Sequence, residues 1–165
     1  RAIAVAFGLP YVVRQEPGAS GLGGMTSTAA AQAGIPAVIA EAGGRGQLEE
    51  SATTMLAEGV MNVLRHLQML PGPPLSPRAD ARFVGQFVWS RSAHEGWWQP
   101  VVAAGEEVTG QQLLGTVQTL HGDLLEEVRA PSDGVVLFLT TSPAVAEGGA
   151  LLGLGAEVVP VAGAV

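Results

Sequence analysis

Lysine and cysteine are both missing from this 165-residue chain, whose eight basic residues are all arginine. Without a lysine amine there is no Walker A loop, no lipoyl-type attachment point, no Schiff base and no lysine general base. Without cysteine there is no disulfide framework and no thiolate chemistry, which fits a reducing compartment. Aromatic residues make up 5% of the chain and charged residues 14%, with a net charge of −7. That excess of acid argues against a nucleic acid or an anionic membrane surface as partner, since both select clustered basic residues. No run approaches the ~20 apolar residues that a membrane-crossing helix needs, and no basic, apolar, small-residue leader opens the chain, so the expected setting is soluble and cytoplasmic. The first residue is Arg1 and residues 2–9 are already apolar, which reads as the middle of a domain.

What is present is a chain that is 47% hydrophobic, enough for one large or two small domains. Residues 2–7 and 11–14 are apolar segments separated by Gly8 and Pro10, an element ending and a short strand following. The glycines of residues 18–24 fail as a dinucleotide loop, because Gly21 and Gly23 are followed by Thr26 where a third small residue is needed. They fail as a nucleophile elbow around Ser20 because position 22 is Leu. The stretch reads as a connection into a helix over 26–33, closed by Gly34.

Then comes PAVIAEAGGRG, residues 36–46. Val38, Ile39 and Ala40 read as a short buried strand, and Glu41 is delivered at its end into a glycine-rich turn. Ligand sites of α/β sheets gather at that edge. Apolar positions keep a helical period from Leu48 to Leu70, so a core-facing helix follows, with Glu49 and Glu50 near its positive end. His66 has no second ligand-type residue at helical spacing. Pro71, Pro73, Pro74 and Pro77 make a stiff linker, which divides the chain into residues 1–70, a linker at 71–80, and 81–165.

Beyond the linker the period is that of short strands, including 83–89 and 134–139. The segment Gly110-Gln-Gln-Leu113-Leu114-Gly115 returns 38 residues later as Gly148-Gly-Ala-Leu151-Leu152-Gly153, each copy following a Val-rich strand and an acidic turn. Two similar β-units imply a pseudo-symmetric, flattened barrel. Trp97 and Trp98 either pack it or line a site.

Two turns of this half, residues 100–113 with Gly105-Glu-Glu-Val108-Thr-Gly110-Gln, and Ala130-Pro131-Ser-Asp-Gly134, resemble those of biotinyl/lipoyl-type barrels. Where a carrier would present its lysine the chain has Leu120-His121-Gly122-Asp123, so the resemblance implies a scaffold or lid and not a swinging arm; His121 and Asp123 read as turn residues. Taken with Gly34-Ile35-Pro36-Ala37, Glu41-Ala42-Gly43-Gly44, Gly59-Val60-Met61-Asn62-Val63-Leu64 and Met69-Leu70, the whole chain resembles the C-terminal half of the succinylglutamate desuccinylase/aspartoacylase family.

The resemblance implies an α/β fold, the C-terminal part of a zinc-carboxypeptidase-like domain, followed by an all-β lipoyl-like barrel or sandwich without its lysine. It implies a zinc-dependent hydrolase that cleaves the amide of N-acyl amino acids. It also implies a zinc site whose H-x-x-E motif and later His lie upstream of Arg1; His66, His94 and His121 have no Glu at i+3, so no metal ligand is assigned in this chain, which alone should be inactive. Glu41 corresponds to the family's catalytic Glu. Gly43 and Gly44 would let the backbone approach substrate, and Arg45 could hold a substrate carboxylate in bidentate fashion. Partners would be the small-molecule substrate and either a second copy or the N-terminal half. The alternative is a non-catalytic, barrel-bearing binding or carrier-like module.

Overall fold

A computed structural model of the chain describes residues 1–14, 25–76 and 78–161. The rejected phosphate-loop and nucleophile-elbow readings of residues 18–24, and Pro77 of the linker, lie outside the described residues. The chain forms two units, Arg1–Phe83 with Val159–Val165, and Val84–Val158.

The first unit is built on two helices. Helix α1 (Ala2–Phe7) stops at Gly8, whose φ of 88° only glycine adopts without penalty, and a three-residue strand β1 (Tyr11–Val13) follows. Helix α2 (Thr26–Gln32) buries no residue. Helix α3 (Glu50–His66) is shorter than its apolar period. It ends four residues before Leu70 because Gln68 turns left-handed at φ 60° and the Met69 N–H reaches back to the Leu64 carbonyl. Arg65 and His66 in its last turn suit the negative end of the helix dipole.

Two residues fix α1 on α3. A Cβ at Gly59 would lie 2.2 Å from the Phe7 ring, so glycine there admits the ring. Asn62, only 4% exposed, donates from Nδ2 to the Ala6 carbonyl and accepts the Leu75 N–H on Oδ1. One buried amide thus joins α1, α3 and the proline-rich segment, and satisfies a carbonyl that the end of α1 leaves open together with a backbone N–H of the segment after α3.

The second unit is all strand: β2 (Arg82–Arg91), β3 (Gly96–Pro100), β4 (Glu107–Val108), β5 (Leu113–Gln118), β6 (Leu124–Arg129), β7 (Gly134–Leu139), β8 (Ala144–Val145) and β9 (Ala150–Pro160). Its first sheet runs β2-β9-β7-β4 and its second β6-β5-β3-β8. Trp98, Leu114, Val117 and Val128 of the second sheet share one core with Val108, Val136, Leu152 and Leu154 of the first.

The 38-residue echo organises this unit. Moving each element of β2–β5 one repeat along the chain gives β6–β9, and the order β2-β9-β7-β4 then becomes β6-β5-β3-β8, which is the other sheet. The correspondence reaches side chains. Arg129 donates to the Gln111 carbonyl and Arg91 to the Gly148 carbonyl, each clamping the turn ahead of its Leu-Leu-Gly strand. The two motif turns also interlock, because the Gly110 N–H donates to Asp133 Oδ1 at 2.7 Å and Ala130 exchanges backbone bonds with Gln111 and Gln112.

Candidate functional site

The segment 35–49 is where the structure departs most from the sequence reading. Residues 35–40 form no strand; Val38 is 40% exposed and Ile39 47%, so the buried strand expected there is corrected to an exposed segment without regular secondary structure. The physical reason is partnership. A buried inner strand needs neighbours on both edges and helices on both faces, and among the described residues no strand pairs with this one. Glu41, expected at the end of that strand, is exposed as well.

The turn after Glu41 is sharply built. Gly43 sits at φ 76° with its missing Cβ 3.0 Å from Ala52 on α3, so the loop lies against the start of that helix. The Gln47 N–H donates to the Gly44 carbonyl at 3.0 Å, and the two residues between, Arg45 at φ 58° and Gly46 at φ 65°, are both left-handed. This is the type I′ pattern, which favours Gly, Asn or Asp at both positions. Arg45 holds it at a cost of about 1–2 kcal/mol. Nothing lies within 4 Å of a Cβ added to Gly44, so its own chain does not explain the glycine there. Helix α3 then begins with Glu50 in its first turn and no side-chain cap, leaving its first amides open to solvent or a ligand.

The other sequence candidates separate cleanly. His121 and Asp123 are turn residues: Thr119 Oγ1 accepts the N–H groups of both, at 3.2 and 3.1 Å, and Gly122 is left-handed. Trp98 is core, 2% exposed, its ring filling the space that Gly115 leaves, whereas Trp97 is 38% exposed. Among the described residues no three His, Asp or Glu side chains come together in a way that could hold a metal ion, so these residues do not fit a zinc site. No helix of the described residues is long and apolar enough to cross a membrane.

This mixed α/β arrangement with two sheets is that of the C-terminal part of the desuccinylase/aspartoacylase fold. Solved structures that it matches over nearly its whole length include succinylglutamate desuccinylase/aspartoacylase family proteins. A succinylglutamate desuccinylase/aspartoacylase from Rhodobacter sphaeroides is similar at TM-score 0.80 and 22% identity, over 96% of this chain and 48% of that one. The product-bound ectoine utilization protein EutE (DoeB) from Ruegeria pomeroyi is similar at TM-score 0.78 and 27% identity, over 93% and 47%. A succinylglutamate desuccinylase from a Silicibacter species is similar at TM-score 0.76 and 26% identity, over 92% and 47%. The chain therefore spans about half the length of the solved structures it matches. No family model matches it, and no curated protein does.

Proposed function

We propose that this chain is the C-terminal half of a deacylase that hydrolyses the amide of N-acyl amino acids, with Glu41 as its proton-transfer group. The observation that supports this reading is the alignment of nearly the whole chain with one half of desuccinylase/aspartoacylase structures. The chemistry assigned to Glu41 is general base, then general acid: its carboxylate takes a proton from the water that attacks the amide carbon, and as the C–N bond breaks it returns that proton to the leaving nitrogen. The products are a carboxylate and a free amine. Arg45, pre-set by the turn, would pair with a carboxylate of the substrate, and Gly43 and Gly44 would leave room for substrate beside the backbone. Zinc remains an expectation of the family resemblance, with ligands other than the residues described here.

We read the second unit as a lysine-free lipoyl-like β domain serving as scaffold, and the units as the α/β portion, linker and β domain of the sequence reading. The setting proposed is cytoplasmic, with no nucleic-acid partner, and the apolar surface at Ile35, Val38 and Ile39 is assigned to contact with the other half of the fold or a second copy. The test is Glu41→Gln in the intact protein. Turnover of N-acyl amino acids should be lost while metal content and folding are unchanged, and near-normal turnover would overturn the role of Glu41.

A further inference from the structure

The outer face of the second sheet carries a groove of about 210 Å3 beside the 119–123 turn, lined by Trp97, Gln99, Gln118, Thr119, Leu120 and Gly122. Strand register explains why these side chains converge. Trp97 faces Gln118 and Gln99 faces Thr116 across β3 and β5, on the side of the sheet opposite to Trp98 and Val117 in the core.

The internal repeat supplies a comparison for what the architecture itself demands at these positions. In the first sheet the counterparts of Trp97, Gln99 and Gln118, one repeat along, are Val135, Leu137 and Ala156. Val135 is 1% exposed, Ala156 4%, and Leu137 is half-buried. The same places in the fold are thus apolar and covered in one sheet, aromatic and amide-bearing and open in the other. The fold does not require a tryptophan and two glutamines there.

The groove is also pre-formed. Its wall at 119–123 is fixed by the Thr119 hydroxyl, and the Gln118 amide is held by a 3.0 Å bond from Nε2 to Thr116 Oγ1, which leaves its carbonyl oxygen to accept. The Gln99 amide has no partner among the described residues. Pre-set side chains lose little freedom when a ligand arrives.

Chemistry narrows the ligand. None of the six lining residues is charged, so a charged group would lose hydration without compensation. The volume is below the ~300–1,000 Å3 of drug-sized sites, so it takes one ring-sized group. A flat indole face beside amide donors and acceptors suits a molecule with one apolar face and a rim of hydroxyls.

We propose that this groove binds a neutral polyhydroxylated ring, a single glycosyl unit. The test is titration of the 15N-labelled chain with methyl β-glucoside and methyl β-galactoside, followed by NMR. At least one glycoside should give saturable shifts at the Trp97 indole N–H and the Gln99 and Gln118 side-chain amides, with the core Trp98 indole N–H unmoved. Gln99→Ala should weaken binding about tenfold, the loss of one hydrogen bond with partial exposure of its partner. Trp97→Ala, whose melting temperature should stay near that of the wild type because the ring is on the surface, should abolish saturation. Glucuronate should bind more weakly than the neutral glycosides. The proposal is overturned if no glycoside gives saturable shifts, if saturation survives in folded Trp97→Ala, or if the anionic sugar binds best.

Discussion

Replacing Asn62 with alanine should melt the first unit well before the second. The Asn62 amide satisfies two backbone groups, the Ala6 carbonyl and the Leu75 N–H, and it is 4% exposed. Leaving a buried polar group unpaired costs about 1–3 kcal/mol. Leu75 is 60% exposed, so water can replace its lost acceptor in part, and the Ala6 side carries most of the effect. A total of about 2–4 kcal/mol follows, and at ~4–8 °C per kcal/mol for a unit of this size the helical far-UV signal should melt roughly 10–30 °C lower. Asn62→Asp sharpens the test. It keeps an acceptor for Leu75 but sets a carboxylate against the Ala6 carbonyl oxygen, an arrangement that favours the protonated form. A folded-state pKa raised in this way gives stability that is full below the unfolded value and is lost as pH rises through the folded one. The aspartate variant should therefore recover toward the wild type in acid, where its carboxyl can donate, and fall to the level of the alanine variant at neutral pH. An alanine variant melting within ~1 °C of the wild type, or an aspartate variant indifferent to pH, would refute the assignment of Asn62 as the clasp of α1.

The repeat strands and the strained turn give sharper, smaller tests. Gly115→Ala puts a Cβ 2.4 Å from the Trp98 ring and Gly153→Ala one 2.2 Å from Phe87, so each should destabilise the second unit by about 1–3 kcal/mol, read from denaturant unfolding and near-UV dichroism. Gly110→Ala is the contrast, since its nearest neighbour is 3.6 Å away; equal damage at 110 and 115 would remove ring accommodation as the reason for the repeated glycine. Arg45→Gly relieves a left-handed arginine at φ 58° and should stabilise the chain by up to ~1 kcal/mol in thermal melts. In the intact protein the same change should raise KM for N-acyl amino acids, and an unchanged KM would reduce Arg45 to an ordinary turn residue.

The strands were legible where their signals are local. The 134–139 run is β7 to the residue, and the echo at 110 and 148 marks the true repeat, because both arise from alternation and turn glycines that each segment carries itself. Helix α3 was legible as a helix but not in its end or in its full apolar face: no residue type announces that Gln68 will turn left-handed, and of the apolar period Leu48, Val60 and Leu67 are exposed while Gly59 and Asn62 are buried. The role of Asn62 could not be read at all: it sits among polar positions of the helix and is buried only because Ala6 and Leu75, distant in sequence, converge on it. Trp97 and Trp98 posed an alternative that alternation across the pleat resolves, one ring out and one in. The mismatch at Val38–Ile39 has the opposite cause. Their composition describes a buried strand that the described residues do not form, because both strand pairing and burial depend on neighbours that the local sequence does not supply.

That mismatch bears on how the candidate site works. The exposed stretch from Ile35 to Ile39 and the type I′ turn at Arg45 flank the same carboxylate, one an apolar segment left uncovered, the other a turn held in a costly backbone state without an evident need within this chain. Natural sequences keep such local conflicts where something else over-determines them. The matched structures are about twice as long as this chain, and a sheet supplied by the remainder of such a fold would satisfy both conflicts together: it would cover Val38 and Ile39 and bury the edge at which Glu41 stands. If Glu41 has the role proposed for it, covering that segment and completing the site around the carboxylate would be one event. The apolar run before Glu41 would then have two roles, anchoring the loop by its burial and excluding water from the carboxylate.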